Sequence, residues 1–116
     1  MTSIRIKRVY EEPGQEDGER ILANRLWPRG LTKEKARVDL WLKDVAPSTE
    51  LRKWFAHDPS KWEEFRSRYL EELTRNKEQL SLLRQEAAKG TVTLVYGAKD
   101  QQHNEAVILQ RLLTAK

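Results

Sequence analysis

"TVTLVYGAKD", Thr91–Asp100, is the stretch on which the fold turns. From Val92 to Tyr96 it is nearly continuously apolar and rich in β-branched residues, with none of the polar alternation of a strand that has one wet face. A strand of this composition is covered on both faces and lies inside a sheet. The next segment, "DQQHNEAVILQRLLTAK" (Asp100–Lys116), places Ala106, Leu109 and Leu113 along one helix face, with Asp100 as a candidate N-cap. A buried strand feeding directly into a helix is the repeating half of a parallel α/β architecture.

Upstream of that strand the apolar residues recur at helical spacing. "KEQLSLLRQEAAKG" (Lys77–Gly90) puts Leu80, Leu83 and Ala87 on one face and stops at Gly90. Before it, Trp62, Phe65, Tyr69 and Leu73 form an apolar stripe on a long helix that starts near Pro59 or Ser60. "PSTELRKWFAHDP" (Pro47–Pro59) reads as a shorter helix with Ser48 or Thr49 as its cap, ended ahead of Pro59. In "LTKEKARVDLWLKDVAP" (Leu31–Pro47), Thr32 caps a short helix and "VDLWLKDV" alternates like a strand.

Two further strands lie nearer the start. "SIRIKRVY" (Ser3–Tyr10) alternates Ile4 and Ile6 with Arg5 and Lys7, as an edge or half-covered strand does, and runs into the polar loop "EEPGQEDGE". "RILANRLW" (Arg20–Trp27) is apolar at its centre and polar at its end, so it reads as a buried strand that delivers Asn24 and Arg25 to a cleft. The expectation is a single α/β domain over residues 1–116, with a mostly parallel sheet of about four strands flanked by helices on both faces. The short link between the first two strands leaves room for them to pair differently.

Composition limits the chemistry. A chain of 116 residues supports one core and buries roughly 65% of its unfolded surface. It has no cysteine, which removes disulfides, thiolate metal ligands and a cysteine nucleophile together. No segment approaches the ~20 apolar residues of a membrane span, and no signal-peptide core opens the chain. A cytoplasmic protein without a membrane partner is therefore expected. The net charge of +4 suits an acidic partner, yet the basic residues are interleaved with Glu and Asp rather than gathered into a block.

In open α/β sheets, ligands gather where strands end and helices begin. Two segments fit: "NRLWPRG" (Asn24–Gly30) and "YGAKDQQHN" (Tyr96–Asn104). Guanidinium groups suit carboxylate or phosphate, so Arg25, Arg29 and Lys99 are candidate anion ligands, with Trp27, Tyr96 and Asn104 beside them. The arginines could equally pair with internal carboxylates such as Asp39, Asp44 or Asp58. His103 and Asp100 are the candidate proton-transfer pair, although Asp100 also suits a cap. His57 reads as a helix-end residue and Asp58 as the cap of the next helix.

Dinucleotide, nucleoside-triphosphate and nucleophile-elbow signatures are absent, and the two histidines lack metal-ligand spacing, so no metal is expected and any cofactor stays unknown. The favoured partner is a small phosphorylated or carboxylated metabolite. A nucleic-acid module using exposed tryptophans, and a non-catalytic regulatory protein, are the rival readings.

The motifs "RLWPRG" followed by Lys33, "LWLKDVAPSTELRKWFAHDPSKWEEFRSRYLEEL" and "VTLVYGAKDQQHNEA" together resemble the YeaO-like branch of the bacterial domain-of-unknown-function family 488, over nearly the whole chain. The resemblance implies a compact, usually cytoplasmic α/β domain with no established activity. It also adds Lys33, Trp41, Lys43, Ser48, Arg52, Trp54, Phe55, His57, Asp58 and Trp62 to the candidate positions.

Overall fold

The central strand is β4, Val92–Tyr96, every residue of which is buried. In the computed structural model, which describes residues 4–114, β4 lies between β1 (Ile4–Arg8) and β2 (Glu19–Leu22). The strand β3 (Leu40–Trp41) pairs with the far side of β2, giving the order β1-β4-β2-β3 with every pairing parallel. Ser3, read as part of the first strand, lies outside the described residues, as do Ala115 and Lys116 at the end of the last helix segment. The first two strands do not pair with each other. Both pair with β4, so the short link between them crosses over that strand and leaves the sheet wholly parallel.

Register sorts the side chains. Ile4 and Glu19 sit opposite Val92, and Ile6 and Ile21 opposite Leu94, so these residues share one face with Tyr96. Against that face pack α2 (Thr49–Phe55), α3 (Trp62–Thr74), α4 (Lys77–Lys89) and α5 (Glu105–Thr114), through Phe55, Phe65, Tyr69, Leu83 and Leu109 among others. Tyr69 is wholly buried and its hydroxyl donates to the Val45 carbonyl at 2.6 Å, which satisfies the one polar atom it brings inside.

Cover on the other face is thinner than the expected layer of helices. Among the described residues only α1 (Lys33–Ala36) is α-helical there, and Ala36 packs with Val9, Leu22 and Val95. The link between β1 and β2 is too short for a helix and forms a single 3-10 turn, Gln15–Asp17. Its Asp17 is fully buried, accepts from Arg20 Nη1 at 2.7 Å and from Lys7 Nζ at 3.3 Å, and so brings a charge cluster where a helix would bring apolar groups. Arg20 completes the cluster by donating from Nη2 to the Ala36 carbonyl at 2.9 Å.

Local rules set the helix ends. Thr32 Oγ1 accepts from the Lys35 N–H at 3.2 Å, Ser48 Oγ from Leu51 N–H at 3.1 Å, and Asp58 from Ser60 N–H at 3.0 Å ahead of α3. The alternating segment read as a third strand keeps only Leu40 and Trp41, because β2 ends at Leu22. The Leu42 N–H takes the Leu22 carbonyl as its partner at 3.0 Å, and beyond it the chain turns through a 3-10 stretch at Lys43–Val45. No helix among the described residues is long and apolar enough to cross a membrane.

Candidate functional site

The chain leaves β2 toward the face that carries α1 and leaves β4 toward the face that carries α5. Two adjacent parallel strands whose continuations part in this way open a crevice at their carboxyl ends. A cavity of about 240 Å³ occupies it, bounded by Asn24–Arg29 after β2, by Gly97, Ala98 and His103–Glu105 after β4, and by Arg52, Phe55 and His57 at the end of α2.

The first wall is built from the end of β2. With its amide turned as its neighbours require, Asn24 donates to Glu105 Oε1 and accepts from the Gly97 N–H at 3.1 Å, bridging the two strand ends. Its carbonyl takes the Trp41 indole N–H at 2.7 Å. Trp27 donates to the Leu31 carbonyl at 2.8 Å and meets Trp41 edge to face at 5.4 Å, which stiffens the wall it forms with Pro28.

The arginines differ in their surroundings. Arg25 donates from Nε to the Pro47 carbonyl and from Nη2 to the Ala46 carbonyl, each at 3.1 Å, and its Nη1 lies 3.8 Å from the exposed Asp44 carboxylate. Arg29 and Arg52 are exposed, and among the described residues neither guanidinium has a hydrogen-bond or ion-pair partner. Of the carboxylates the sequence offered Arg29, Asp39 accepts from the Arg20 backbone at 2.8 Å and Asp58 caps its own helix.

The second wall departs from the expected arrangement. Asp100 does not cap the last helix; its Oδ1 accepts from Gln102 N–H at 2.9 Å and His103 N–H at 3.0 Å, closing the preceding turn. The cap of α5 is Asn104, which accepts from Val107 N–H at 3.1 Å and donates to the Asp100 carbonyl at 2.9 Å. Asn suits this position as well as Asp, and the length of the intervening turn decides between them. Asp100 Oδ2 lies 2.9 Å from His103 Nδ1, and the Gln102 N–H, followed by His103, holds this carboxyl below its ordinary range.

Of the residues expected here, Arg25, Trp27, Arg29, His103 and Asn104 line the cavity. Lys99 is exposed and does not, because Gly97 and Ala98 take the cavity-facing positions; Tyr96 is buried in the core below, and Asp100 lies behind His103. Reasoning from the residues passed over Arg52, His57 and Glu105, although the family resemblance included the first two.

Glu105 is half-buried, and burial pushes its carboxyl up to about 7. Its signal was readable: with Ile108, Leu109 and Leu112 it falls on the apolar stripe of the last helix, where a carboxylate is out of place. His57 had no such signal. It follows Ala56 in a left-handed backbone, φ 57° after φ 48°, and lines the cavity from this turn. Among the described residues no three or more His, Asp or Glu side chains are grouped to hold a metal ion.

Comparison with known proteins matches residues 3–116 to a family model described as the inactive DUF488-N3 subclade. The chain is 43% identical over 107 residues to the uncharacterised protein YeaO of Escherichia coli strain K12, covering 92% of this chain and 93% of that protein. It is 42% identical over 115 residues to an uncharacterised protein of Mycobacterium tuberculosis strain H37Rv, covering 99% and 97% respectively. No solved structure matches it. With a family match along nearly its whole length and relatives of this similarity, the chain belongs to the DUF488 family, in the subclade described as inactive DUF488-N3.

Proposed function

We propose that the cavity binds a small molecule carrying a phosphate or carboxylate group, which Arg29 and Arg52 hold at the mouth and Arg25 attracts from the wall. The observation that carries this reading is a pair of guanidinium groups at one cavity with no partner among the described residues. Rigid, permanently charged donors of this kind suit oxyanions. The opposing charge is small: Glu105 faces the same space, and its carboxyl keeps its proton up to about pH 7.

Binding is favoured over turnover. Asp100 and His103 form an acid–base pair at the rim, but the carboxylate closes its own turn and lies outside the cavity. The family description as inactive goes with the same view. A concave site suits a small metabolite better than a nucleic-acid strand, and the tryptophans favour it too: Trp27 and Trp41 contact each other, and Trp54 lies beneath Lys61 and Arg68. The basic, cysteine-free composition suits such a role in the cytoplasm.

Isothermal titration of the full chain with phosphate and acetate, each at low and high salt, tests the reading. Each charge-assisted hydrogen bond is worth about 1.5–3 kcal/mol, so the R29A/R52A double variant should bind at least tenfold more weakly while its circular dichroism is unchanged. Absence of binding to the native chain, or unaltered binding to the double variant, would refute it.

A further inference from the structure

We infer that the head group this cavity selects is a phosphate monoester carrying two negative charges, in preference to a carboxylate. The inference rests on the anion-binding reading of the cavity and concerns the choice of head group which that reading leaves open.

The cavity holds more positive charge than one carboxylate can answer. Three arginines line it, Arg25, Arg29 and Arg52, and Glu105 is the one carboxylic acid among the described residues that lines it with them. Arg25 is already engaged, by the Pro47 and Ala46 carbonyls and by Asp44 at 3.8 Å. Arg29 and Arg52 are not, so two permanent positive charges stand uncompensated, and burial keeps the proton on Glu105 up to about pH 7. A carboxylate would answer one of these charges and leave the other. A phosphate monoester answers both.

The number and direction of the oxygens point the same way. Arg29 reaches the cavity from the segment after β2 and Arg52 from α2, so their guanidinium forks belong to different walls. A carboxylate is flat and has two oxygens, which a single guanidinium takes bidentately. The three free oxygens of a phosphate monoester diverge from phosphorus, and forks arriving from two walls each find an oxygen of their own. His57 and His103 line the same space. Among the described residues the His57 ring has no hydrogen-bond partner, and His103 uses Nδ1 on Asp100 and leaves Nε2 unengaged. Either ring donates to the third oxygen when its free nitrogen carries a proton.

Neutral donors do not make up for a missing charge. Asn24 uses both ends of its amide on Glu105 and Gly97, and Asn104 uses both of its own on Asp100 and Val107. With those amides and the Gly97 N–H spent, the head group is recognised through cations, the setting in which a second charge discriminates most. The added cost of stripping water from a doubly charged group is contained, because Arg29 and Arg52 are exposed and a group held by them keeps water on its outer side.

Titration of the full chain at pH 7 with methyl phosphate, sulfate and acetate tests this, since a phosphate monoester has its second ionisation at about pH 6 and is mostly doubly charged there. One added charge-assisted hydrogen bond suffices for roughly a tenfold gain, so methyl phosphate should bind at least tenfold more tightly than acetate. Sulfate, also doubly charged and tetrahedral, should follow methyl phosphate. In R29A and in R52A alone, methyl phosphate should lose most of its advantage over acetate. Acetate binding as tightly as methyl phosphate, or sulfate ranking with acetate, overturns the phosphate preference and leaves the anion site standing, as does an advantage that survives both substitutions. Binding by none of the three probes overturns both.

Discussion

Replacing Glu105 by Gln is expected to remove a loss of stability that the native chain suffers as the pH approaches neutrality. Glu105 opens α5, is half-buried, and receives a hydrogen bond from Asn24 but forms no ion pair among the described residues. Its carboxyl gives up its proton near 4.5 in the unfolded chain and near 7 in the folded one. Below 4.5 both states are protonated and the folded state keeps its full advantage. Across the window up to about 7, only the unfolded chain has released the proton, so stability falls by about 1.4 kcal/mol for each pH unit. The whole loss is roughly 3 kcal/mol at most, because a half-buried residue keeps some solvent contact, which softens the penalty.

Gln has no proton to lose and keeps the oxygen that accepts from Asn24. Urea denaturation of both chains between pH 5 and pH 8, compared as a difference, cancels every titrating group they share. The gap between them should be smallest near pH 5 and widen in favour of E105Q by about 1–3 kcal/mol by pH 8. Parallel curves across that range would refute the reasoning, since they would mean that the folded chain holds Glu105 in contact with bulk water.

Asp17→Asn should cost about 3–5 kcal/mol in the same urea assay, because Arg20 is only 4% exposed and would be left as a buried charge, whereas Lys7 and Arg5 reach water. The double variant D17N/R20M should be more stable than D17N alone, and a double variant no better than the single one would show that trapped charge is not the cause. Burial pushes the Asp17 carboxyl up, but the Gly14 N–H, Arg20 and Lys7 together hold it below its ordinary value of 3.8, so its stabilisation is present above that pH and lost as the pH falls below it. Ala56→Gly should raise the melting temperature by about 3–5 °C, since an exposed side chain in the left-handed region costs about 1 kcal/mol that glycine avoids. An unchanged or lower melting temperature by calorimetry would place that strain elsewhere.

Features that depend on neighbours a few residues away were legible in the sequence. The apolar run Val92–Tyr96 identified an inner strand because both of its faces need cover, and Thr32, Ser48 and Asp58 announced their helices because a cap reaches only two or three residues along the chain. Asn24 and Arg25 could be assigned to a strand end for the same reason.

Pairing and convergence were decided by the tertiary structure. Nothing local tells Ile21 that its partner across the sheet is Leu94, so the order that sets β1 and β2 on either side of β4 could not be read from either strand alone. Lys99 and Ala98 are adjacent in sequence, yet only Ala98 meets the cavity, because the path of one turn chooses between them. Arg29, Arg52 and Glu105 belong to separate segments that share a cavity through the packing of α2 and α5 over the strand ends. The sequence by itself determined the elements, their caps and the α/β class, since hydrogen-bond reach and hydrophobic period are short-range. Which charges are trapped, which are free and which face one another was left to the tertiary structure, because burial is a property of the packed chain.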